Sequence, residues 1–249
     1  MNKRIFLIII SCVTIACIII GACIHLRFSW PAFSSVRRSV SKAVEKSFEG
    51  VDDYDDYDFV PETRTFETDL QVFDSIKIDA KVMGVSVERG NRFGISGTYA
   101  REALKPSFSV SGATLKITQP NNKIKLVTNG NCKIVITIPY GIKLESVDID
   151  VDVGAVALKG IDLEDAQINT DVGAIAVENV EFRELRANSD VGAVSVELVQ
   201  PISEYNIDAR SDVGAIQVNG SNAKHKFSQT GSTNKGVKIK TDVGGIDIK

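Results

Sequence analysis

The aspartates of a repeated Asp-Val-Gly triplet are the residues of this sequence whose spacing best fits a chemical role. They are Asp152, Asp171, Asp190, Asp212 and Asp242, so the intervals between them are 19, 19, 22 and 30 residues. If each interval is one coil of a stacked fold, neighbouring carboxylates repel by roughly 0.8 kcal/mol in water, or roughly 3 kcal/mol at an effective dielectric constant of 20. A row of carboxylate oxygens is a candidate Ca²⁺ site. The favoured interpretation is structural: each carboxylate accepts hydrogen bonds from turn amides.

Few other residues could form a catalytic or metal site. The chain has 2 His and 4 Cys; His25 adjoins an apolar segment and His225 lies in a predicted loop. The sequence contains no Ser/His/Asp set, no Cys/His metal spacing and no phosphate-binding Gly loop. A net charge of −3 is not the electrostatic footprint of a nucleic-acid binder. We therefore predict a protein that is not an enzyme and has no cofactor, metal ion or nucleic-acid partner, with the five aspartates kept only as calcium candidates.

The triplets belong to a longer repeat that places apolar residues in fixed columns. Aligned on the aspartate, these columns stand three residues before it and one, four and six residues after it. The column two residues before the aspartate is polar and contains Asp150, Asn169, Asn188, Arg210 and Lys240. Because side chains alternate between the two faces of a strand, the pattern separates a buried face from an exposed one.

A repeat of about 20 residues with two short strands is typical of one coil of a β-solenoid. Four buried aliphatic side chains per coil contribute roughly 6 to 12 kcal/mol, whereas ordering the backbone of one coil costs roughly 19 to 38 kcal/mol, so coils must stack. We predict an all-β fold over residues 70–249, a single-chain parallel β-solenoid in which each coil pairs with the next. The segment from Lys81 to Val87 is predicted to be a degenerate earlier coil. The last coil, Gly245 to Lys249, is predicted to leave an exposed edge for self-association.

Two local features predict turns. The glycine of each triplet is expected to take positive φ at a corner of the coil. These corner glycines are Gly154, Gly173, Gly192, Gly214 and Gly244. Residues 124–128 and the strand from Cys132 to Ile138 flank Asn129-Gly130, a pair that predicts a type I′ hairpin.

The N-terminal region predicts a membrane address. Residues 5–26 carry no charge and would span roughly 33 Å as a helix, enough to cross a hydrocarbon core of about 30 Å. We predict a transmembrane anchor over 5–26 with residues 1–4 in the cytoplasm. A cleaved signal peptide and lipidation at Cys23, after Ile20-Gly21-Ala22, are the alternatives. The domain beyond the anchor is predicted to be extracellular in a single-pass membrane protein, although basic residues on both sides of the span weaken that orientation.

Two segments connect the anchor to the solenoid. Residues 27–50 form a basic amphipathic stem that either lies on an anionic membrane surface or is solvated. Its apolar side is Val36, Val40, Ala43, Val44 and Phe48, and its opposite side is Arg38, Lys42 and Lys46. Residues 51–69 contain eight acidic residues against Arg64 and are predicted to be an extended acidic linker.

One stretch of the sequence resembles a known family. The run from Ile136 to Gly141, then Leu144 and Val147-Asp148-Ile149 ahead of Asp-Val-Gly-Ala-Val, is similar to the bacterial "putative adhesin" domain. The segment from Phe73 to Ile78 is similar to the opening strand of that domain, and the resemblance covers about residues 66–249. It implies a β-solenoid of unknown function in an envelope protein, sometimes linked to envelope stress, with no established enzymatic activity.

Together these patterns predict a membrane-anchored, envelope-exposed, adhesin-like interaction module. Its membrane partner is lipid, through the anchor, and its solenoid side would present ladders of side chains to an envelope protein or polysaccharide. The alternative is a β-helical carbohydrate-active enzyme, because paired carboxylates can hydrolyse glycosidic bonds.

Overall fold

The computed structural model describes residues 63–119 and 132–249. The predicted anchor, the stem, residues 51–62 of the acidic linker, and residues 124–128 with Asn129-Gly130 lie outside the described residues. Within the described ranges, no helix is long and apolar enough to cross a membrane. The helical structure described is two short 3₁₀ turns, Glu102–Leu104 and Ile202–Glu204. The rest of the regular structure is β, so the prediction of an all-β fold is confirmed.

Nineteen strands are described. They are β1 (Arg64–Asp69), β2 (Ser75–Val82), β3 (Gly84–Gly90), β4 (Gly94–Tyr99), β5 (Ser107–Ser111), β6 (Thr114–Thr118), β7 (Cys132–Pro139), β8 (Lys143–Val153), β9 (Val156–Lys159), β10 (Asp162–Val172), β11 (Ile175–Val180), β12 (Glu184–Val191), β13 (Val194–Leu198), β14 (Tyr205–Val213), β15 (Ile216–Val218), β16 (Ser221–Ala223), β17 (Lys226–Gln229), β18 (Lys235–Val243) and β19 (Ile246–Ile248).

The strands form two sheets that enclose the core. The ten-stranded sheet has the order β1-β4-β7-β3-β9-β11-β13-β19-β15-β16, and the nine-stranded sheet has the order β17-β14-β18-β12-β10-β8-β2-β6-β5. Each repeat contributes one strand to each sheet. Coil 1 is β8 and β9, coil 2 is β10 and β11, coil 3 is β12 and β13, coil 4 is β14 and β15, and coil 5 is β18 and β19.

Equivalent positions of the repeat lie side by side in parallel register. In the nine-stranded sheet Ile168 is opposite both Ile149 and Ala187, and in the ten-stranded sheet Val177 is opposite both Leu158 and Val196. These are the columns three residues before and six residues after the aspartate, and their side chains are buried between the sheets. The early coil also exists: β2 and β3 pair in parallel with β8 and β9, which places Lys81 opposite Asp152.

The order of the last two coils differs from the prediction. β18 pairs with β12 on one side and β14 on the other, and β19 lies between β13 and β15, so coil 5 is inserted between coils 3 and 4. The long interval before coil 5 explains this, because its strands β16 and β17 pair antiparallel with β15 and β14 and occupy the outer edges of coil 4. The prediction that the last coil leaves a free edge is therefore wrong.

The hairpin prediction also differs from the observed pairing. β7 has β3 as a parallel neighbour and β4 as an antiparallel neighbour along its length. The antiparallel partner of the strand that begins at Cys132 is thus β4 and not the segment before Asn129-Gly130. Cys132 itself is buried, 3% exposed.

The valine column directly after the aspartate does not belong to the core. Val172, Val191 and Val213 are 49%, 48% and 45% exposed, although the sequence predicts this column to be inward-facing. The strands of the nine-stranded sheet end at this valine, so the alternation of the strand stops there. The buried column is the one before the aspartate, and it carries hydroxyl groups in Thr170, Ser189, Ser211 and Thr241.

Candidate functional site

The glycine corners are the tightest part of the solenoid. A Cβ at Gly173 would lie 1.7 Å from the carbonyl oxygen of Gly154, and a Cβ at Gly192 would lie 1.7 Å from that of Gly173. The same contact recurs in the spatial order of the coils. A Cβ at Gly244 would lie 1.7 Å from the carbonyl oxygen of Gly192, and a Cβ at Gly214 would lie 1.9 Å from that of Gly244. Close backbone approach therefore requires glycine here. Positive φ, the predicted reason, is not shared by the five, since Gly173, Gly192 and Gly244 do not have it.

Buried hydroxyls hold these corners from inside. The side chains of Ser189, Thr241 and Ser211 donate to the carbonyl oxygens of Gly173, Gly192 and Gly244, at 3.0, 3.2 and 2.9 Å. Each bond joins a strand of one coil to the corner of its neighbour. The column before the aspartate thus stabilises the stacking that the glycines permit.

The corner amides bond to the next coil and not to the aspartates. The amide of Gly154 donates to the carbonyl of Val172 at 3.0 Å, and the amide of Gly173 donates to the carbonyl of Val191 at 3.0 Å. Val156 and Ile175, beyond the corner, donate in the same way to Ala174 and Ala193. The expected Asx-type hydrogen bonds are therefore wrong, because these donors are used between coils.

The aspartate column, defined as Asp152, Asp171, Asp190, Asp242 and Asp212 in spatial order, runs along this corner. Lys81 stands at its end on the early coil and pairs with Asp152 at 2.9 Å, a hydrogen bond that raises the pKa of the lysine. Lys240 pairs with Asp242 at 2.8 Å. The carboxylates of Asp171, Asp190 and Asp212 have no hydrogen-bond or ion-pair partner within residues 63–119 and 132–249. In the same ranges, no group of three or more His, Cys, Asp or Glu side chains is placed to hold a metal ion.

The next outward column on the nine-stranded sheet changes from acidic to basic along the stack. Asp79 is opposite Asp150, and the pKa of Asp150 is raised by partial burial first and then by the charge of Asp79. Asn188 then donates to Asn169 at 2.9 Å. This amide pair separates the acidic end of the column from the basic end.

The basic end is formed by the strands β12, β18, β14 and β17. Its cations, which we call the basic patch, are Arg186, Lys238, Lys240, Arg210 and Lys226. Parallel register places Lys238 between Arg186 and Asp208, and antiparallel register places Lys226 opposite Arg210. The Asp208–Arg210 pair, at 3.0 Å, lowers the pKa of the carboxyl and raises that of the guanidinium. Coils 3, 4 and 5 all carry cations on this face, and the insertion of coil 5 places Lys238 and Lys240 between Arg186 and Arg210.

Three depressions in the described surface are open and lie away from the basic patch. One of about 530 Å³ lies over β1, β4 and β7, one of about 360 Å³ lies beside Arg92, and one of about 260 Å³ lies beside Tyr140 and Asp162. His225 contacts the carbonyl oxygen of Ser211 through Nδ1 at 3.3 Å. The described residues do not bring a histidine and a nucleophile to a shared cleft.

The corner opposite the glycines contains a polar network that the sequence did not indicate. The Arg89 guanidinium donates to the carbonyl oxygens of Gly160, Pro139 and Ile142 at 2.8 to 2.9 Å and pairs with Asp162 at 2.6 Å. Its side chain is 12% exposed. The three acceptors lie in two turns that are more than 45 residues from Arg89 in the sequence. No local motif could therefore have identified them.

The geometry described above defines a class of protein, a two-sheet β-solenoid with side-chain ladders on its surface. The chain belongs to the Toastrack DUF4097 family, whose model matches residues 73–249. This agrees with the resemblance found in the sequence.

One solved structure supports the same fold, and two others are similar over part of the chain. A "putative cell adhesion protein" from Clostridium sporogenes is 19% identical, with a TM-score of 0.60, over 76% of this chain and 99% of that chain. A "putative adhesin" from Bacteroides fragilis is 13% identical, with a TM-score of 0.36, over 76% of this chain and 97% of the other. One from Parabacteroides merdae is also 13% identical, with a TM-score of 0.41, over 76% and 82%. No curated protein matches the chain.

Proposed function

We propose that this protein is a membrane-tethered interaction module of the cell envelope, adhesin-like and without catalytic activity. The observation that carries the proposal is the exposed face of the nine-stranded sheet, where charged side chains repeat in register from coil to coil. Strand neighbours are about 4.8 Å apart, so the basic patch presents closely spaced cations on a flat surface. Such a surface suits an extended anionic polymer or an acidic protein segment.

Two observations favour binding over catalysis. The described carboxylates of the aspartate column lie along a convex corner, whereas sugar hydrolysis needs two carboxyl groups on either side of a bound glycosidic bond. The Clostridium sporogenes structure of similar fold is a "putative cell adhesion protein". The carbohydrate-active enzyme therefore has no specific observation in its favour.

The tether and its orientation rest on the sequence. The uncharged span over 5–26 supports a single-pass anchor with the solenoid outside, and the family resemblance supports a link to envelope stress. Cys132 cannot report the topology because it is buried. A cysteine at exposed Gln167 is the suitable probe, and an impermeant thiol reagent should label Gln167→Cys on intact cells. Labelling only after permeabilisation would contradict an outside domain.

The binding proposal is tested with two charge-matched variants. Arg186→Glu with Lys238→Glu reverses two cations of the basic patch, whereas Lys105→Glu with Lys224→Glu makes the same charge change outside the patch. We expect purified wild-type protein and the Lys105/Lys224 variant to co-sediment with isolated envelope material, and the patch variant to lose at least five-fold of that binding. Equal binding by both variants would refute the proposed surface. Release of sugar from the same material, abolished by Asp171→Asn with Asp190→Asn, would establish the enzyme instead.

A further inference from the structure

The corner opposite the glycines contains a depression that is lined by residues from four successive connections between the two sheets. It has a volume of about 260 Å³. Its lining begins at the turn between β7 and β8, crosses the turn between β9 and β10 and the connection from β11 to β12, and ends just after β13. Its walls come from different coils, so it exists only when the coils are stacked. We call it the turn groove, and its lining includes Tyr140, Gly160, Asp162, Asn179, Glu181 and Val199.

Two exposed apolar side chains line this groove. Tyr140 is 74% exposed and Val199 is 43% exposed, and the tyrosine is the most exposed large hydrophobic residue among those described. The Tyr140 hydroxyl has no hydrogen-bond partner within residues 63–119 and 132–249. Exposed apolar side chains that are grouped in a depression indicate a binding site, whereas single ones do not. The tyrosine therefore offers a ring and a polar tip to a ligand.

A β-bulge places the side chain of Asn179 in the wall of the same groove. The register between β11 and β13 shifts between Glu178 and Val180, and Asn179 itself has a φ of +53°. Residues other than glycine seldom adopt this conformation, and bulges often redirect a side chain next to a functional site. A Cβ at Gly160 would lie 4.0 Å from Nδ2 of Asn179. The Asn179 amide has no partner among the described residues, so its donors and its acceptor are free for a ligand.

The charged residues that the structure describes in the lining are already paired. Asp162 pairs with Arg89 at 2.6 Å, and Glu181 pairs with Lys235. Because a cation neutralises each carboxylate, these groups leave no net charge to attract an ion. A carboxylate in an ion pair still has lone pairs that accept hydrogen bonds. The lining therefore suits an uncharged ligand that carries hydroxyl groups.

The Arg89 network holds the groove in one geometry. Its guanidinium donates to the carbonyl oxygens of Pro139 and Ile142, on either side of the tyrosine turn, and to that of Gly160. It therefore fixes the turn that carries Tyr140 against the turn of the next coil. A site whose groups are already held in place loses less entropy when a ligand binds.

We propose that the turn groove binds one uncharged pyranose unit of a polysaccharide. A pyranose has a face of C–H groups, which packs on an aromatic ring, and a rim of hydroxyls that donate and accept hydrogen bonds. Tyr140 supplies the ring, and Asn179 and Asp162 supply the hydrogen-bonding groups. The groove is smaller than the roughly 300 to 1,000 Å³ of sites for drug-sized ligands, and its open side lets the polymer continue. This site is separate from the basic patch, and the inference does not depend on what that patch binds.

Calorimetric titration of the full-length protein tests the site. The protein is kept in an amine oxide detergent, because the sugar of a glycoside detergent would compete, and the probes are chitotetraose, cellotetraose and mannotetraose. We expect at least one of these uncharged tetrasaccharides to bind, Tyr140→Ala to weaken that binding about ten-fold or more, and Tyr140→Phe to keep it within about three-fold. Val72→Ala, at a side chain that is 73% exposed outside the groove, should leave the affinity unchanged. Binding of none of the probes, or equal binding by Tyr140→Ala and wild type, overturns the proposal.

A matched pair of asparagines tests the polar wall. Asn219 is also exposed and has a φ of +46°, but it lies outside the lining. Glycine keeps either backbone conformation, so Asn179→Gly removes only the amide and should weaken binding about five-fold or more, whereas Asn219→Gly should not. Arg186→Glu with Lys238→Glu should bind the same tetrasaccharide as tightly as wild type. Loss of binding in that double variant but not in Tyr140→Ala would assign the sugar to the basic patch and overturn the turn groove.

Discussion

Two adjacent glycines of coil 5 provide a sharp test of how the corners are built. Gly244 lies at the corner, where an added Cβ would be 1.7 Å from the carbonyl oxygen of Gly192. Gly245 follows it, and the nearest atom to an added Cβ there is 3.6 Å away. The other coils have alanine at the position of Gly245. One methyl group at two neighbouring positions should therefore have opposite effects on stability.

The magnitude for Gly244→Ala follows from the contacts that must open. The two corners must separate by more than 1 Å, which stretches three hydrogen bonds between coils 3 and 5, from the amides of Gly192 and Val194 and from the hydroxyl of Thr241. At about 0.5 to 1.5 kcal/mol for each bond, with about 1 to 3 kcal/mol for overpacking, the loss is about 2.5 to 7.5 kcal/mol. A domain of this size loses roughly 2 to 4 °C in Tm per kcal/mol. Gly245→Ala should gain about 0.4 to 1 kcal/mol through the unfolded chain.

The assay is thermal and urea unfolding followed by circular dichroism in the strand region. Gly244→Ala should melt roughly 5 to 30 °C below wild type, with a lower urea midpoint, and Gly245→Ala should melt at or slightly above wild type. Gly173→Val should resemble Gly244→Ala or fail to fold. If Gly244→Ala and Gly245→Ala melt within a degree of each other, the corners are not closed by backbone contact and the reasoning is refuted.

Four further predictions concern charges and buried groups. Partial burial and the charge of Asp79 raise the pKa of Asp150, so ionisation of this carboxyl opposes folding. Its contribution to stability is fully present below the ordinary pKa of an aspartate, and it is lost as the pH rises through the raised pKa of the folded protein. Asp150→Asn should therefore raise Tm at pH 7 and have no effect near pH 3, and a variant that melts lower at pH 7 would contradict this. Arg89→Met leaves three turn carbonyls without their donor and should lower the free energy of unfolding by about 2 to 4 kcal/mol in a urea titration; a change under 1 kcal/mol would count against that network. Burial raises the pKa of Cys132 to about 12, so Ellman's reagent should titrate this thiol only after unfolding, and rapid reaction in buffer would show the site to be open. Millimolar Ca²⁺ and a chelator should give the same Tm, because the aspartate column offers pairs of carboxylates and not a coordination cage; a rise of several degrees with Ca²⁺ would restore the calcium site.

The repeat columns determine much of the fold. Ile149, Ile168 and Ala187 recur at a fixed period, and a parallel register between coils follows from burying them together. The order of coils does not follow from the same pattern, because coils 3, 4 and 5 carry equivalent columns and several orders bury them equally well. Strands β16 and β17, which direct the last coil inward, are short and mostly exposed. Their antiparallel pairing leaves no periodic signal in the sequence.

The sequence likewise predicts some features of the candidate site and not others. Gly173 was recognised as a corner, but the reason for glycine is a contact with a residue 19 positions earlier, which φ preferences cannot reveal. The aspartates were predicted to accept turn amides, whereas those amides donate to the adjacent coil. The insertion of coil 5 determines which cations of the basic patch are neighbours, so this arrangement could be identified only once the coil order was known.

The coil order itself is tested most directly by disulfides across the outer face of the nine-stranded sheet. Asn188 on β12 is in register with Lys240 on β18, which is in register with Arg210 on β14. Asn188→Cys with Lys240→Cys, and Lys240→Cys with Arg210→Cys, should each crosslink within one chain, because adjacent strands are about 4.8 Å apart. Asn188→Cys with Arg210→Cys should not crosslink. A disulfide in this third pair, with none between positions 188 and 240, would show coils 3 and 4 stacked in chain order and would contradict the insertion of coil 5 that sets the arrangement of the basic patch.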